Sequence, residues 1–279
     1  MAKKQIVLDQ KAIDERVKKG DGQGHGGQYD PWIKVYGVSL DSHKYREIGW
    51  KTGREHHLFS SLEFDVFCIL DWLPNVLDVR EQFPLLPIDE TLSLAAQMRI
   101  SHPNVQYKRT SPYKYIVMTT DLLIDIQTDT GVRQVALDIK PSGELDKRRT
   151  LEKLELARRY WAARGIEWRI ITQHDYNHVI AKNLKEKLRA HRSLTGKIDL
   201  PLNELDEMTR SLTNIVRSGD MSLSKAVRVF EQQNSLDAGS GITLAWHLIA
   251  TKKWVVDLSV LLHTSRKLSL VATAFDNDD

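Results

Sequence analysis

The 279-residue chain has a single cysteine, Cys68, so no disulfide framework can form within it. Cys68 lies in an apolar helical run, where burial as a small hydrophobe in a reducing compartment is expected. Cysteine and histidine also lack the paired spacing of a zinc site. His56 and His57 are neighbours that point different ways, which reads as surface or phosphate-contacting residues. No stretch approaches the roughly 18 uncharged apolar residues of a membrane span, and no apolar segment follows Met1 to Gln5 as in a secretory leader. A soluble, cytoplasmic protein with no membrane partner is the expectation. Net charge is nearly missing too: 40 Lys and Arg against 37 Asp and Glu leave a formal +3, which by itself makes no case for nucleic acid.

The distribution of charge says more. From Lys140 to Thr195 there are 14 basic residues against 7 acidic ones. That excess can hold phosphates, or it can be the solvated face of two amphipathic helices. Within it Lys147, Arg148 and Arg149 are candidate DNA contacts, as are Lys252 and Lys253 further on.

The length permits two domains. The first twenty residues read as a short charged helix stopped at Gly20. Next, Gly22-Gln23-Gly24-His25-Gly26-Gly27 matches GxGxxG, but a dinucleotide site needs a strand before it. A mobile glycine-rich arm over 1–30 is expected instead. Phe59 to Leu73 has helical apolar spacing, and Asn75 to Gln82 reads as a strand. Phe83 to Pro87 is extended and unsuited to a central ladder at its prolines. The segment 88–112 carries no decisive pattern. Tyr115 to Gln127 and Val132 to Lys140 read as antiparallel strands joined by a turn, followed by a helix from Glu144 to Ala163 and a strand from Ile166 to Thr172. The order is α, β, β, β, α, β over 31–175. From 176 to 279 the pattern turns helical: Tyr176 to His191, Leu202 to Val216, Ser222 to Gln233 and Ser240 to Thr251, with Ser222 and Ser240 as N-caps. A hairpin of Trp254 to Leu262 and Leu268 to Ala272, turning at 264–267, ends the chain. Helices followed by a hairpin suggest a winged helix, and a helical protein-protein module has the same pattern.

The chemistry concentrates on two strands. If they close through a two-residue loop at Asp129-Thr130, Asp121 falls opposite Asp138, with opposed β-carbons ~5 Å apart, near enough for both acids to reach one metal ion. A three-residue loop using Gly131 would break that register. Lys140 shares the face of Asp138 in either case. Hard oxygen donors select Mg²⁺, with Mn²⁺ as its substitute, and two acids plus an amine on one patch suit metal-dependent phosphodiester hydrolysis. Lys140 would position or deprotonate the attacking water and add positive charge at phosphorus. Glu63 interrupts the apolar face of the preceding helix. It either completes the acid set or forms a capping box with Ser60. Asp138 and Lys140 could equally be an exposed strand face.

Several stretches, in order over residues 20–170, resemble the TnsA family, the endonuclease subunits of heteromeric bacterial cut-and-paste transposases. They are Gly22 to Gly26, His56 to Leu58, Leu62-Glu63, Arg80 to Pro87, Thr120-Asp121, Lys140-Pro141 and Arg149 to Trp161. The resemblance implies a restriction-endonuclease-like domain followed by a winged helix. It also implies cutting of transposon 5′ ends in double-stranded DNA, beside a TnsB-type recombinase and a TnsC-type ATP-dependent regulator. Glu63, Asp121 and Lys140 match the family's catalytic acids and lysine, and Ile139 would offer its carbonyl to the metal. Asp138 departs from a family glutamine toward the wider PD-(D/E)-x-K pattern of restriction-type nucleases, and Thr120 replaces that pattern's proline. Past about residue 180 the resemblance fades. A catalytically silent DNA-binding adaptor and a free-standing restriction or repair nuclease are the competing functions.

Overall fold

The computed structural model describes residues 10–37, 44–105, 114–198 and 204–276. The chain divides into two compact units, Met1–Tyr176 and Asn177–Asp279. The first contains α1 (Gln10–Lys18), β1 (Tyr45–Ile48), β2 (Glu55–Leu58), α2 (Ser61–Trp72), β3 (Val76–Pro84), α3 (Ile88–Gln97), β4 (Asn104–Val105), β5 (Lys114–Tyr115), β6 (Thr119–Thr128), β7 (Gly131–Ile139), α4 (Arg148–Ala162) and β8 (Glu167–Ile171). The second contains α5 (His178–Asn183), α6 (Leu205–Ser218), α7 (Leu223–Gln233), α8 (Ser240–Ala250), β9 (Trp254–Val256) and β10 (Leu270–Thr273). Among the described residues no helix is long and apolar enough to cross a membrane.

A four-stranded sheet in the order β3-β6-β7-β8 carries the first unit. β3, β6 and β7 are antiparallel neighbours, and β8 returns parallel to β7 after α4. The expected α, β, β, β, α, β order is thus α2, β3, β6, β7, α4, β8. Into it residues 88–115 insert α3 and the small β4–β5 ladder, with 106–113 outside the described residues; Tyr115 belongs to β5, so the strand expected from that residue begins at Thr119 as β6. β3 runs two residues past its expected end and takes Phe83 and Pro84 into the ladder, which an edge strand allows; the pairing stops where Pro84 faces Thr119. α4 lays Leu156, Ala157, Tyr160 and Trp161 against Leu123 and Ala136 of the sheet and Leu85 beside it. The two-residue loop is present: Thr128 faces Gly131 and the ladder runs to Leu122 opposite Leu137. Gly131 adopts φ +121°, a backbone region open to glycine. Beyond its last pair the ladder brings Asp121 and Asp138 together.

Three expectations need correction. Residues 21–30 are no loose arm. Asp21 bridges Asp30, Gly26 N–H donates to Asp78 at 2.9 Å, Arg54 donates to the Gly26 carbonyl at 3.1 Å, and Tyr29 is buried. A Cβ on Gly22 would lie 2.4 Å from the Pro84 ring and one on Gly24 2.5 Å from the Gln28 carbonyl, so these two glycines permit close approach. Residues 1–9 lie outside the described part. The His56-His57 pair is also buried. It belongs to the β1–β2 hairpin, which spacing does not reveal because its strands are four residues each. Lastly, the C-terminal hairpin is shorter than expected. Asn183, fully buried, donates to the carbonyls of Leu258 and Val260 at 2.9 and 2.8 Å and accepts from Leu262 N–H at 2.9 Å. These bonds draw residues 258–262 out of the ladder.

In the second unit, Asn177 caps α5 through bonds from the amides of Val179 and Ile180. α5 runs on into a π-turn (Leu184–Leu188) and a 3₁₀ turn (Arg189–His191). Residues 202–203 of the next expected helix are outside the described part; α6 starts at Leu205. Ser222 stands at the N-cap of α7 without a side-chain bond to its amides. The cap of α8 is Gly239, with Ser240 as its first residue. The Glu231 carboxylate, from α7, accepts the Gly239 and Gly241 amides, both at 2.9 Å, satisfying donors that a helix start leaves open. Trp254 Nε1 donates to Thr213 at 2.9 Å, fixing β9 to α6.

Candidate active site

The acids sit where β6 enters and β7 leaves the sheet. Asp121 Oδ2 accepts the Ile139 amide at 2.8 Å and the Lys140 ammonium. Lys140 Nζ also donates to the Ile139 carbonyl at 3.0 Å. The Lys140 amide extends the parallel pairing by donating to Ile171 O at 2.9 Å. Asp138 is buried and accepts from Trp168 Nε1 at 2.7 Å. Its pKa is pushed up to about 6, by burial first and then by the nearby Asp121 charge, against the pull of Lys140 and Trp168. For Lys140 burial opposes the charge, but Asp121, Asp138 and Glu63 outweigh it and raise the pKa. Of the two roles open to Lys140, the charged ammonium is the one the surroundings favour, since a general base must first be neutral.

Of the two readings of Glu63, the cap is present. Ser60 Oγ accepts the Glu63 amide at 3.1 Å, while Glu63 Oε2 accepts the Phe59 amide at 2.9 Å and Oε1 accepts from the Ser60 hydroxyl at 3.1 Å. The reciprocal cap is therefore made, with Phe59 in place of the usual N-cap amide. The same buried carboxylate is among the charges that raise the Lys140 pKa.

The ammonium offers a test of whether a metal ion fits. Lys140 bonds Asp121 Oδ2 and the Ile139 carbonyl together, so two of the oxygens assigned to an ion converge on one cation. With Asp138 alongside, the donors are hard oxygens suited to Mg²⁺ or Mn²⁺.

Among the candidate DNA contacts, Lys147, Arg148 and Arg149 stand at the start of α4. They pair with Glu144 (Lys147) and Glu152 (both arginines), yet Arg148 keeps 91% of its side chain exposed. Such exposed pairs are weak, and phosphate can compete for these cations. Lys153 adds to the group, with a pKa lowered by burial and by the charges of Arg149 and Lys140. In the second unit Lys252 and Lys253 follow α8, with Lys253 3.6 Å from Asp206.

Two clusters escaped the sequence reading. Glu81, fully buried, accepts from Arg54 at 2.8 and 2.6 Å, from the His57 amide at 3.0 Å, and lies 2.8 Å from His56 Nδ1. His25, Asp78 and Asp125 bring possible metal-ligand atoms within 4.8 Å of one another. There Arg80 bonds Asp125 and lies 3.5 Å from Asp78, so a guanidinium already offsets both acids. Only the Arg80-Glu81 dipeptide and the glycine motif around His25 hinted at either cluster. Their partners come from distant segments.

The fold and site together define a mixed α/β protein with two acids and a lysine at the open end of a hairpin, followed by a mainly helical unit. Residues 73–173 match the family model described as TnsA-like endonuclease N terminal. Residues 175–258 match that of TnsA endonuclease C terminal. The transposon Tn7 transposition protein TnsA of Escherichia coli is 43% identical over 185 residues, 66% of this chain and 65% of that protein. The chain belongs to the TnsA endonuclease family. The match thus spans just under two thirds of its relative's length. Asp121, Asp138 and Lys140 fall inside the N-terminal family match, and Glu63 lies before it.

Proposed function

We propose that this chain is a metal-dependent DNA endonuclease subunit of a heteromeric transposase, cutting the 5′ ends of the transposon. The observation that carries it is the convergence of Asp121 Oδ2 and the Ile139 carbonyl on one cationic centre, with Asp121 and Asp138 each one residue beyond the last ladder pair, Leu122 and Leu137. The first unit has the strand and helix order of a restriction-endonuclease-like domain. The second, in which α6, α7 and α8 are followed by the two-stranded β9–β10 hairpin, has the elements of a winged helix. Asp121, Asp138 and the Ile139 carbonyl would hold Mg²⁺, with Glu63 completing the acid set. The ion supplies Lewis acidity toward a phosphate oxygen and a more acidic bound water. Lys140 contributes a fixed positive charge beside the scissile phosphate. Lys147, Arg148 and Arg149 hold the neighbouring backbone at the entrance to α4, and Lys252 and Lys253 give the second unit a phosphate contact. A TnsB-type recombinase and a TnsC-type regulator are the proposed partners.

The test is strand cleavage of a transposon-end duplex by purified protein with Mg²⁺ or Mn²⁺, with and without recombinase and regulator. Asp121→Ala and Lys140→Ala are each expected to lower cleavage by roughly 100-fold or more while partner binding persists. Normal cutting by both variants would overturn the site assignment. Cutting by the wild type alone would point to a free-standing nuclease, and its failure under every condition to an adaptor.

A further inference from the structure

Resting on that reading, we propose that Trp168 is a positioning residue for the active centre, its indole N–H fixing the orientation of the Asp138 carboxylate toward the metal. β8 runs parallel to β7 with Trp168 paired to Ala136, so the indole comes from the strand beside Asp138 and not from its own hairpin. Its Nε1 donates to Asp138 Oδ2 at 2.7 Å, and its ring packs on the cluster holding Trp161, Leu123 and Ala136.

An indole suits this task. It has one donor and no acceptor, and a half-buried ring packed on that cluster is restrained from turning. Asp138 needs such a restraint, because the like charge of Asp121 would otherwise drive its carboxylate to rotate outward. The main-chain bond from Asp121 holds the same carboxylate from the other strand. A second tryptophan repeats the device across the hairpin: Trp161 Nε1 donates to the Thr120 hydroxyl at 2.8 Å, one residue before Asp121. Thr120, in the position where the general nuclease pattern has proline, thereby supplies an acceptor that proline lacks. The two strands that present the acids are each tied by an indole rooted in one apolar cluster. Groups that orient a metal ligand without touching the metal typically change affinity by about 10- to 100-fold when removed.

Trp168→Phe deletes the donor and keeps an aromatic ring in the packing. Calorimetric Mn²⁺ titration of the full chain should give a Kd about 10-fold or more above wild type, at a metal-free melting temperature close to wild type. Cleavage lost at limiting Mg²⁺ should return at saturating Mg²⁺, a recovery that a packing defect would not show. In wild-type protein the ¹H–¹⁵N signal of the Trp168 indole should move on addition of Mg²⁺, which keeps the inference testable if the variant fails to fold. An unchanged Kd, or an indole signal indifferent to Mg²⁺ while Asp121→Ala still abolishes Mn²⁺ binding, would overturn the role of Trp168 alone. Absence of any Asp121-dependent Mn²⁺ binding in wild type would overturn the nuclease reading with it.

Discussion

Two buried acids in this protein show how one physical cost is met in two ways. For Glu81 burial raises the pKa, but Arg54 and His56 overcompensate and hold it at about 2. For Asp138 burial and Asp121 act in the same direction, and the pKa rises to about 6. The linkage signs are therefore opposite. A depressed carboxylate pKa contributes stability that is present above about pH 4.5 and lost as pH falls toward 2, worth up to ~3 kcal/mol for Glu81. Urea unfolding from pH 6 down to 2 should show this loss. Glu81→Gln should be less stable at pH 6 and show a shallower pH dependence than wild type. The raised pKa of Asp138 makes its charge destabilising as pH climbs from about 4 through 6. Asp138→Asn, assayed at pH 8 with chelator, should gain stability while losing cleavage. A stability loss instead would show that its charge is already compensated. The contrast was not legible in sequence: Asp138 was found by strand spacing, whereas Glu81 draws Arg54 and His56 from a hairpin too short to announce itself. His56 is buried against Glu81, whereas His57 gives Glu81 only its amide while its ring lies against Tyr36.

Among the elements, local rules succeeded where the chain acts on itself over a few residues. The two-residue turn set the β6–β7 register, and the Ser60-to-Glu63 spacing gave the cap of α2. They failed where a side chain arrives from elsewhere. In α3 the buried Thr91 donates to Ile88 O within the helix at 2.8 Å and also meets the imidazole of His102, beyond the helix end, at 2.9 Å. β9 was overestimated because Asn183 holds the residues that follow it, and the start of α8 was assigned to Ser240 although Glu231 of α7 closes it. The α7–α8 approach carries its own prediction. A Cβ on Gly241 would lie 2.9 Å from Val227 Cβ and 3.1 Å from its carbonyl, neither of which is a flexible chain end. Gly241→Ala gains about 1 kcal/mol in helix propensity but incurs about 1–3 kcal/mol of overpacking. A net loss of stability is expected in chemical denaturation, and a gain would mean that α7 can move away at little cost.

For the whole molecule, the polar network around Glu81 and the apolar cluster under α4 lie in the first unit, and the caps and the Asn183 clasp close the second. A chain built in this way should be divisible, and Asn177 tells where. Its side chain receives the Val179 and Ile180 amides at 2.8 and 3.3 Å, and it is also the first residue of the second unit. A fragment beginning at Asn177 should melt cooperatively. One beginning at His178 leaves two amides unbonded and should be less stable by about 1 kcal/mol, a difference of several degrees in midpoint for a unit of this size. Equal midpoints would mean the cap is idle. The boundary along the chain thus coincides with one capping side chain, so a graft of the second unit onto another protein keeps α5 capped only if it begins at Asn177 or supplies another N-cap residue there.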